Sequence, residues 1–310
     1  MQMPRIDNPL SPLVPKLEGF HLFHFDGAPC AQRVRFAMAE KGLARGREVK
    51  FDADDEKSCA GEEERWVSRI VSLIKKDHLT DVYAKIQPNL VVPAFVHDGV
   101  LFTESMDIVT YIDELFGGEP LLPRHDERLM EDVQALTDVG KGLHRSIRFV
   151  TFRWGLGRLG MLNQKEEEQL KMLVQQGGDG EQLVDFYSGY DEKTIPDAVY
   201  QQHLDALAAG FAMLEKRLDD GRHFVTGNTL TMADVIWAMK VLRLDECGYP
   251  FAKCYPAVFD WFQRIASRPA FTSGVMAKNR GFNRAFRFKS KLENLLGVGL
   301  EKAVVRGVNG

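Results

Sequence analysis

The chain has 310 residues, of which 45% are hydrophobic and 27% charged, enough for more than one buried core. Its 40 basic and 44 acidic residues give a net charge of -4, which excludes the basic excess typical of nucleic-acid-binding proteins. The four cysteines show no CxxC or metal-ligand spacing, which favours a reducing cytoplasm and no metal site. A small or apolar ligand is the expected partner.

Residues 1–18 predict an extended arm, because prolines and Asp7 interrupt the apolar run that a secretory signal would need. A strand is predicted over residues 20–25, where large apolar residues alternate with histidines. From Cys30 onward apolar residues recur at helical spacing, and Lys41-Gly42 marks the end of that helix. No apolar run in the chain is long enough to span a bilayer, so no membrane association is expected.

Further along, residues 48–52 predict a second short strand, and the apolar residues of 66–86 indicate one or two helices. The apolar runs 93–96 and 100–102 flank Asp98-Gly99, which is a strong signal for a β-hairpin. An amphipathic helix follows and ends at Gly117-Gly118. The order β-α-β-α-β-β-α over residues 19–118 predicts one α/β domain.

After residue 121 the strand signals stop. Helices are predicted over residues 127–152, 164–175, 195–218, 231–247 and 256–267. Residues 119–290 should therefore form a separate all-helical domain, followed by a tail at 291–310. Thr231 and Asp234 form a capping box, which predicts the start of a helix at this point.

Three short segments of the first domain contain candidate chemistry. A helix start favours an anion, so Cys30 could have a lowered pKa or assist a bound thiol; a small, inert, packed cysteine is the alternative. A cis bond before Pro93 would turn the Val92 backbone towards a peptide-like ligand, whereas a trans bond would make this an ordinary edge proline. Glu104 and Ser105 open a helix that could bind a carboxylate, and a simple helix cap is compatible with that role.

Together, separated segments of the chain resemble the cytosolic glutathione transferase family. They are GAPCAQRVRFAMAEKGL at 27–43, QPNLVVPAFVHDGVLFTESMDIVTYIDE at 87–114, LTMADVIWAMKVLRL at 230–244 and YPAVFDWFQRIASRPAF at 255–271. Their order and spacing carry the resemblance over residues 19–272. It implies an α/β plus all-α fold, in which a thioredoxin-like N-terminal domain precedes an all-helical C-terminal domain, with glutathione as cosubstrate.

The resemblance also implies roles for individual residues. Val92 should pair through its backbone with the cysteinyl part of glutathione, with Pro93 cis, while Glu104 and Ser105 hold the γ-glutamyl end. Many classes of the family have Ser or Cys where this chain has Ala28. A cysteine stands at the position of Cys30 in the bacterial beta class and in the tetrachlorohydroquinone reductive dehalogenases, so Cys30 is the implied catalytic residue.

The second substrate of the family binds between the domains, against the first helices of the C-terminal domain. Here that region interleaves aromatic and basic residues, which could hold an aromatic ring beside an anionic leaving group. Aromatic residues in the core and arginines in solvent are the alternative. The predicted substrate-binding residues are His144, Arg148, Phe149, Phe152, Arg153 and Trp154.

Three functions follow from the resemblance. The first is a glutathione S-transferase in which the glutathione thiolate attacks an aromatic or hydrophobic electrophile, including cleavage of β-aryl ethers. The second is a reductive dehalogenase or thiol-disulfide reductase that uses Cys30. The third is a non-catalytic subunit with the same fold. A homodimer, or a heterodimer with a related chain, is expected, and the long insertions resemble bacterial branches that degrade aromatic compounds.

Overall fold

The computed structural model describes residues 5–6, 8–156, 160–175, 180–190, 195–278 and 280–308. The chain divides into two compact units, Met1–Phe116 with Met161–Asp191, and Gly117–Gly160 with Glu192–Gly310. The N-terminal segment of the first unit thus ends close to the predicted boundary at 118. The first unit also includes the segment Met161–Asp191, which the sequence places in the helical domain. Within the described residues, no helix combines the length and the apolar character needed to cross a membrane.

A mixed five-stranded sheet forms the centre of the first unit. Its strands are β1 (Phe20–His24), β2 (Ala44–Lys50), β3 (Arg65–Ile70), β4 (Ala94–His97) and β5 (Val100–Phe102). The strand order is β2-β3-β1-β4-β5. The first three strands are mutually parallel, and β4 pairs antiparallel with both β1 and β5. This arrangement confirms the predicted α/β character of the N-terminal part.

The remaining regular structure is helical. In chain order the α-helices of the described residues are α1 (Pro29–Glu40), α2 (Glu56–Cys59), α3 (Asp81–Ala84), α4 (Ser105–Leu115), α5 (Glu127–Gly142), α6 (His144–Thr151), α7 (Gln164–Gln175), α8 (Glu181–Gly189), α9 (Asp197–Leu218), α10 (Met232–Glu246), α11 (Phe251–Cys254), α12 (Pro256–Ala266), α13 (Pro269–Phe271), α14 (Arg280–Leu295) and α15 (Leu300–Val308). The second unit contains no strand among its described residues, so the prediction of an all-helical C-terminal part is confirmed.

The hairpin between β4 and β5 forms where the sequence predicts it. Asp98 and Gly99 both have positive φ, 47° and 78°, which is the backbone of a two-residue type I′ turn. Gly99 adopts this conformation without a Cβ penalty. The turn therefore fixes the register in which Val96 pairs with Leu101.

The prediction that helices begin at Trp66 is wrong. Residues 65–70 form β3, which pairs in parallel with β1 on one side and β2 on the other. Its partners lie about 20 residues away in β2 and 46 residues away in β1, so its backbone hydrogen bonds depend on tertiary structure. Apolar residues at 66, 70 and 73 fit a helical period equally well, which is why the pattern misled. Within 66–86 helical structure is limited to a 3-10 turn, Asp77–Leu79, and α3.

Two other predictions differ from the structure in the second unit. The single helix expected over 127–152 is divided into α5 and α6 at Leu143, where ψ is -1° and the helical path breaks. Residues 291–310, expected as a tail, include the end of α14 and all of α15. Gly297 and Gly299 lie between the two helices and interrupt the apolar pattern of this segment, which is why the sequence favoured a tail.

The predicted capping box at the start of α10 is confirmed, and it does more than begin a helix. Asp234 is fully buried, and its carboxylate accepts hydrogen bonds from the amides of Val225 at 3.0 Å and Thr231 at 2.9 Å. It also accepts one from Trp261 Nε1 at 2.9 Å. One carboxylate therefore joins a loop, the start of α10 and helix α12.

Replacing Asp234 with Ala should lower the free energy of unfolding by about 3–5 kcal/mol, because three buried N–H donors lose their acceptor. Urea denaturation followed by circular dichroism measures this change. The control is Asp205→Ala, which removes an exposed carboxylate that accepts from Gln201 within α9. We expect the control to cost less than about 1 kcal/mol. Equal losses in the two variants would contradict the assigned role of Asp234.

His21 in β1 is a buried, neutral histidine. Its Nδ1 accepts from Arg69 Nε at 3.0 Å, and its Nε2 lies 2.9 Å from the carbonyl oxygen of Glu18. Burial, together with the positive charge of Arg69, lowers the pKa of His21 to about 4. Protonation of Nδ1 would place two cations in contact, so the fold requires the neutral ring.

Stability should therefore fall in acid. Because the folded-state pKa of His21 lies below its unfolded value, the unfolded chain takes up the proton first, and stability is lost as the pH falls from about 6.5 towards 4. The contribution of His21 approaches about 3 kcal/mol at the acid end of this range. Urea unfolding of the wild type and of His21→Gln at pH 7 and 4.5 tests it. An equal loss between the two pH values in both proteins would show that His21 does not contribute.

Candidate ligand-binding site

The first turn of α1 places Cys30 where the sequence predicts it. The helix begins at Pro29, and the preceding Ala28 has an extended backbone and gives no side-chain cap. Cys30 is a free, partly exposed thiol in this turn. Backbone N–H groups in the first turn have no acceptor inside the helix, so an anionic group beside this turn would meet N–H donors.

The loop before β4 holds Val92 between two fixed neighbours. The Val92–Pro93 bond is cis, as the resemblance implies. The carbonyl oxygen of Val91 accepts from Tyr83 Oη at 2.7 Å, and that of Pro93 accepts from Gln87 Nε2 at 3.0 Å. Among the described residues, no hydrogen bond involves the amide or the carbonyl of Val92. The Val92 backbone is thus left for an extended, peptide-like partner.

Gln87 is a site-forming residue that the sequence reasoning missed. It is fully buried, and its Nε2 donates to the carbonyl oxygens of Pro93 and of Thr103 at 3.0 and 2.9 Å. Its Oε1 accepts from the amide of Asn89 at 3.2 Å. A single side chain therefore joins the Val92 loop to the segment that leads into Glu104. Nothing in the local sequence distinguishes this buried amide from an exposed one.

The start of α4 carries Glu104 and Ser105. Glu104 is the exposed residue before the helix, and its carboxylate does not cap it. Ser105 is the first helical residue and is buried, and its Oγ accepts from Arg33 Nη1 at 3.2 Å. Amides at a helix start, with a hydroxyl beside them, form a suitable place for a carboxylate.

Arg33 is the second residue that the sequence reasoning missed. It lies three residues after Cys30, hence on the same face of α1, and only 5% of its surface is exposed. Arg35 is engaged elsewhere, with Nη1 3.1 Å from His24 Nδ1 and Nη2 donating to the carbonyl of Asp26 at 2.8 Å. The Arg-Val-Arg pattern thus contains two buried arginines with different partners.

These pieces lie next to one another in the first unit. Val92 belongs to the same hydrophobic cluster as Ala28 and Ala31, which flank Cys30. The Arg33–Ser105 hydrogen bond joins α1 to the start of α4. The structure therefore brings together the predicted residues of the N-terminal domain: Cys30, Val92, Pro93, Glu104 and Ser105.

The predicted substrate residues of the second unit lie on α6 and on the π-helical turn Phe152–Leu156. Phe149 and Phe152 are nearly buried, and the ring of Phe149 lies 4.2 Å from that of His203. This favours the core alternative for the two phenylalanines. His144 and Arg148 are partly exposed.

Arg153 and Trp154 pack around Tyr200. The guanidinium of Arg153 lies 4.1 Å from the centre of the Tyr200 ring, and its Nη2 pairs with Asp197 at 2.9 Å. The Trp154 ring meets the same tyrosine edge-on at 5.7 Å. Arg153 is therefore held by contacts within its own unit.

Known families and proteins match over most of the chain. The family model for the glutathione S-transferase N-terminal domain matches residues 22–120, and that for the C-terminal domain matches residues 197–264. Glutathione S-transferase 1 of Dianthus caryophyllus is 25% identical over 254 residues, covering 80% of this chain and 90% of that protein. Glutathione S-transferase Z1 of Arabidopsis thaliana is 26% identical over 247 residues, covering 77% and 86%.

Solved structures share the fold. The β-etherase LigF from Sphingobium sp. strain SYK-6 superposes with a TM-score of 0.65 at 20% identity, covering 82% of this chain and 97% of that one. A glutathione transferase homologue from Drosophila mojavensis, solved with bound glutathione, gives 0.60 at 18% identity, covering 87% and 97%. At these identities the likeness concerns the fold alone.

The role of Gln87 can be tested by Gln87→Glu, which keeps the size of the side chain but removes the two N–H donors. We expect the free energy of unfolding to fall by about 2–4 kcal/mol, because the carbonyls of Pro93 and Thr103 would face a carboxylate. Gln134→Glu on α5, where the amide is exposed and pairs with Asp138, is the control and should cost less than about 1 kcal/mol. A Gln87 variant as stable as the control would show that the bridge is not needed.

Proposed function

This chain belongs to the glutathione S-transferase family, and we propose that it uses the glutathione thiolate to attack an aromatic or other hydrophobic electrophile. Glutathione is the cosubstrate of this family. The observation that carries the proposal is the backbone of Val92, which has no hydrogen-bond partner among the described residues and is held between fixed neighbours beside the starts of α1 and α4. Glutathione is a short peptide, so it can supply the missing N–H and C=O partners.

In the proposed complex each part of glutathione has its own contact. The cysteinyl amide and carbonyl pair with the Val92 backbone. The carboxylate of the γ-glutamyl residue binds at Ser105, where the amides of α4 and a hydroxyl converge, and its ammonium group pairs with the carboxylate of Glu104. The thiol then lies towards the first turn of α1.

The reaction proposed is a displacement at carbon. The thiolate forms a carbon–sulfur bond while a carbon–oxygen or carbon–halogen bond breaks, and the leaving group departs with the electron pair. Because Ala28 offers no hydroxyl, stabilisation of the thiolate rests on the N–H groups and dipole of α1. His144 and Arg148 are the proposed donors to the departing anion, since both are partly exposed. Trp154 is the proposed contact for the aromatic ring, with Arg153 and the buried Phe149 and Phe152 supporting it.

The electrophiles to test first are β-aryl ethers and haloaromatics. Both classes present an aromatic ring and a leaving group that departs as an anion, which suits the interleaved aromatic and basic residues of α6 and the π-helical turn. A second copy of the chain, or a related chain, is the proposed partner in a dimer. Sedimentation velocity of the purified chain, alone and with such a relative, tests this assembly.

A second candidate function uses Cys30 itself, which is supported by its free and partly exposed thiol. In that reaction the Cys30 thiolate attacks the sulfur of a glutathionyl adduct, a mixed disulfide forms, and the reduced product leaves with a proton. A second glutathione then releases Cys30 and forms glutathione disulfide. A non-catalytic subunit, which would turn over no electrophile, is the remaining alternative.

Calorimetric titration of glutathione and of S-hexylglutathione into the purified chain tests the main proposal. We expect both to bind, the alkylated ligand more tightly, because its hexyl group adds apolar burial at the second-substrate position. Binding of neither ligand would contradict the proposed enzyme and favour the non-catalytic subunit.

Substitution of Cys30 separates the two enzymatic candidates. For the transferase, Cys30→Ser should keep conjugation of 1-chloro-2,4-dinitrobenzene within about threefold of the wild type. For the reductase, the same change should abolish turnover of a disulfide substrate while glutathione binding remains. Cys254→Ser, which replaces the partly exposed cysteine of the second unit, is the matched control. A hundredfold loss of conjugation in Cys30→Ser, with none in Cys254→Ser, would contradict a transferase in which the Cys30 thiol takes no part in the reaction.

A further inference from the structure

Arg33 is a buried cation that lacks some of the hydrogen-bond and ion-pair partners a buried arginine usually has. Its Nη1 donates to Ser105 Oγ at 3.2 Å, but its Nε is buried with no hydrogen-bond partner. Among the described residues, no carboxylate forms an ion pair with it. A buried charge normally has a counter-charge, because the loss of hydration is costly. The gap therefore marks a place where an anion would complete the structure.

The hydroxyl of Ser105 has a defined direction of hydrogen bonding. A guanidinium can only donate, so Ser105 Oγ must be the acceptor in its contact with Arg33. The hydroxyl proton is then left to donate, and no acceptor for it exists among the described residues. Ser105 is also the first residue of α4, where backbone N–H groups lack helical acceptors.

We infer that Arg33 is a positioning residue that makes the Ser105 hydroxyl a donor to the carboxylate of the γ-glutamyl residue of glutathione. The inference rests on the proposed function and adds a residue to it. The guanidinium donates to the hydroxyl oxygen, so the hydroxyl proton is directed away from Arg33. It also polarises the O–H bond and places positive charge behind the carboxylate site. Arg33 thereby sets the preference for ligands that carry this carboxylate.

Arg35 shows what a purely structural arginine on the same helix looks like. Its guanidinium is held by His24 and by the carbonyl oxygens of Phe25 and Asp26. These partners belong to β1 and the turn after it, away from Ser105. Arg35 is therefore a matched control for the loss of a buried arginine from α1.

The test compares two ligands, glutathione and its 4-aminobutyryl-Cys-Gly analogue, which lacks only the carboxylate in question. Calorimetry gives the preference of each protein as the ratio of the two dissociation constants. For the wild type we expect a preference of about a hundredfold, and for Arg33→Met one about tenfold smaller, with analogue affinity changed by less than about threefold. Ser105→Ala should lower the preference in the same way, and adding Arg33→Met to it should have little further effect.

Three results would overturn the inference. The first is an Arg33→Met protein that binds both ligands more weakly by the same factor, since that shows only a packing role. The second is an equal loss of preference in Arg35→Lys and Arg33→Lys. We expect Arg33→Lys to lower the preference by at least about threefold, and this variant replaces Arg33→Met if the latter does not fold. The third is a wild-type protein that binds neither ligand, which would overturn the proposed function together with this inference.

Discussion

The proposed glutathione-binding site depends on one buried amide, the side chain of Gln87. Gln87 donates to the carbonyls of Pro93 and Thr103 and so joins the two segments that flank the paired strands β4 and β5. Because buried carbonyl oxygens need donors, this bridge satisfies the neighbours of Val92 from inside the fold. The backbone of Val92 is then the group left without a partner among the described residues. The proposed peptide-binding edge arises because the backbone groups around Val92 have their partners within the fold.

Most buried arginines of the first unit likewise have hydrogen-bond acceptors within the fold. Arg69 donates to His21 and to the carbonyl oxygens of Lys50, Phe51, Ala53 and Ser58, which closes the segment between β2 and β3. Arg35 is likewise surrounded by acceptors. Arg33 differs, because among the described residues no carbonyl or carboxylate oxygen accepts from it and the Ser105 hydroxyl is its one acceptor. The contrast separates arginines whose acceptors belong to the fold from the one for which a ligand carboxylate is proposed.

The second unit is organised around a carboxylate instead. Asp234 gathers donors from the loop before α10, from α10 and from α12, and so positions the core of the helical unit. Several aromatic side chains of α6 and the π-helical turn pack against Tyr200 or into the interior. Substrate choice in the proposed reaction therefore depends on a few partly exposed side chains, His144, Arg148 and Trp154, carried by a rigid helical frame.

The sequence by itself determined the elements whose signals are local: β1 from alternation, the hairpin from Asp98-Gly99, the starts of α1 and α4, and the capping box of α10. It also placed the candidate site residues, because they occur in short segments at helix starts and before a strand. Only the tertiary structure decided β3, whose pairing partners are distant in sequence, and the division between α5 and α6. It alone revealed Gln87 and Arg33, because the partner of Arg33 lies 72 residues away and a buried polar side chain has no signature in its own neighbourhood.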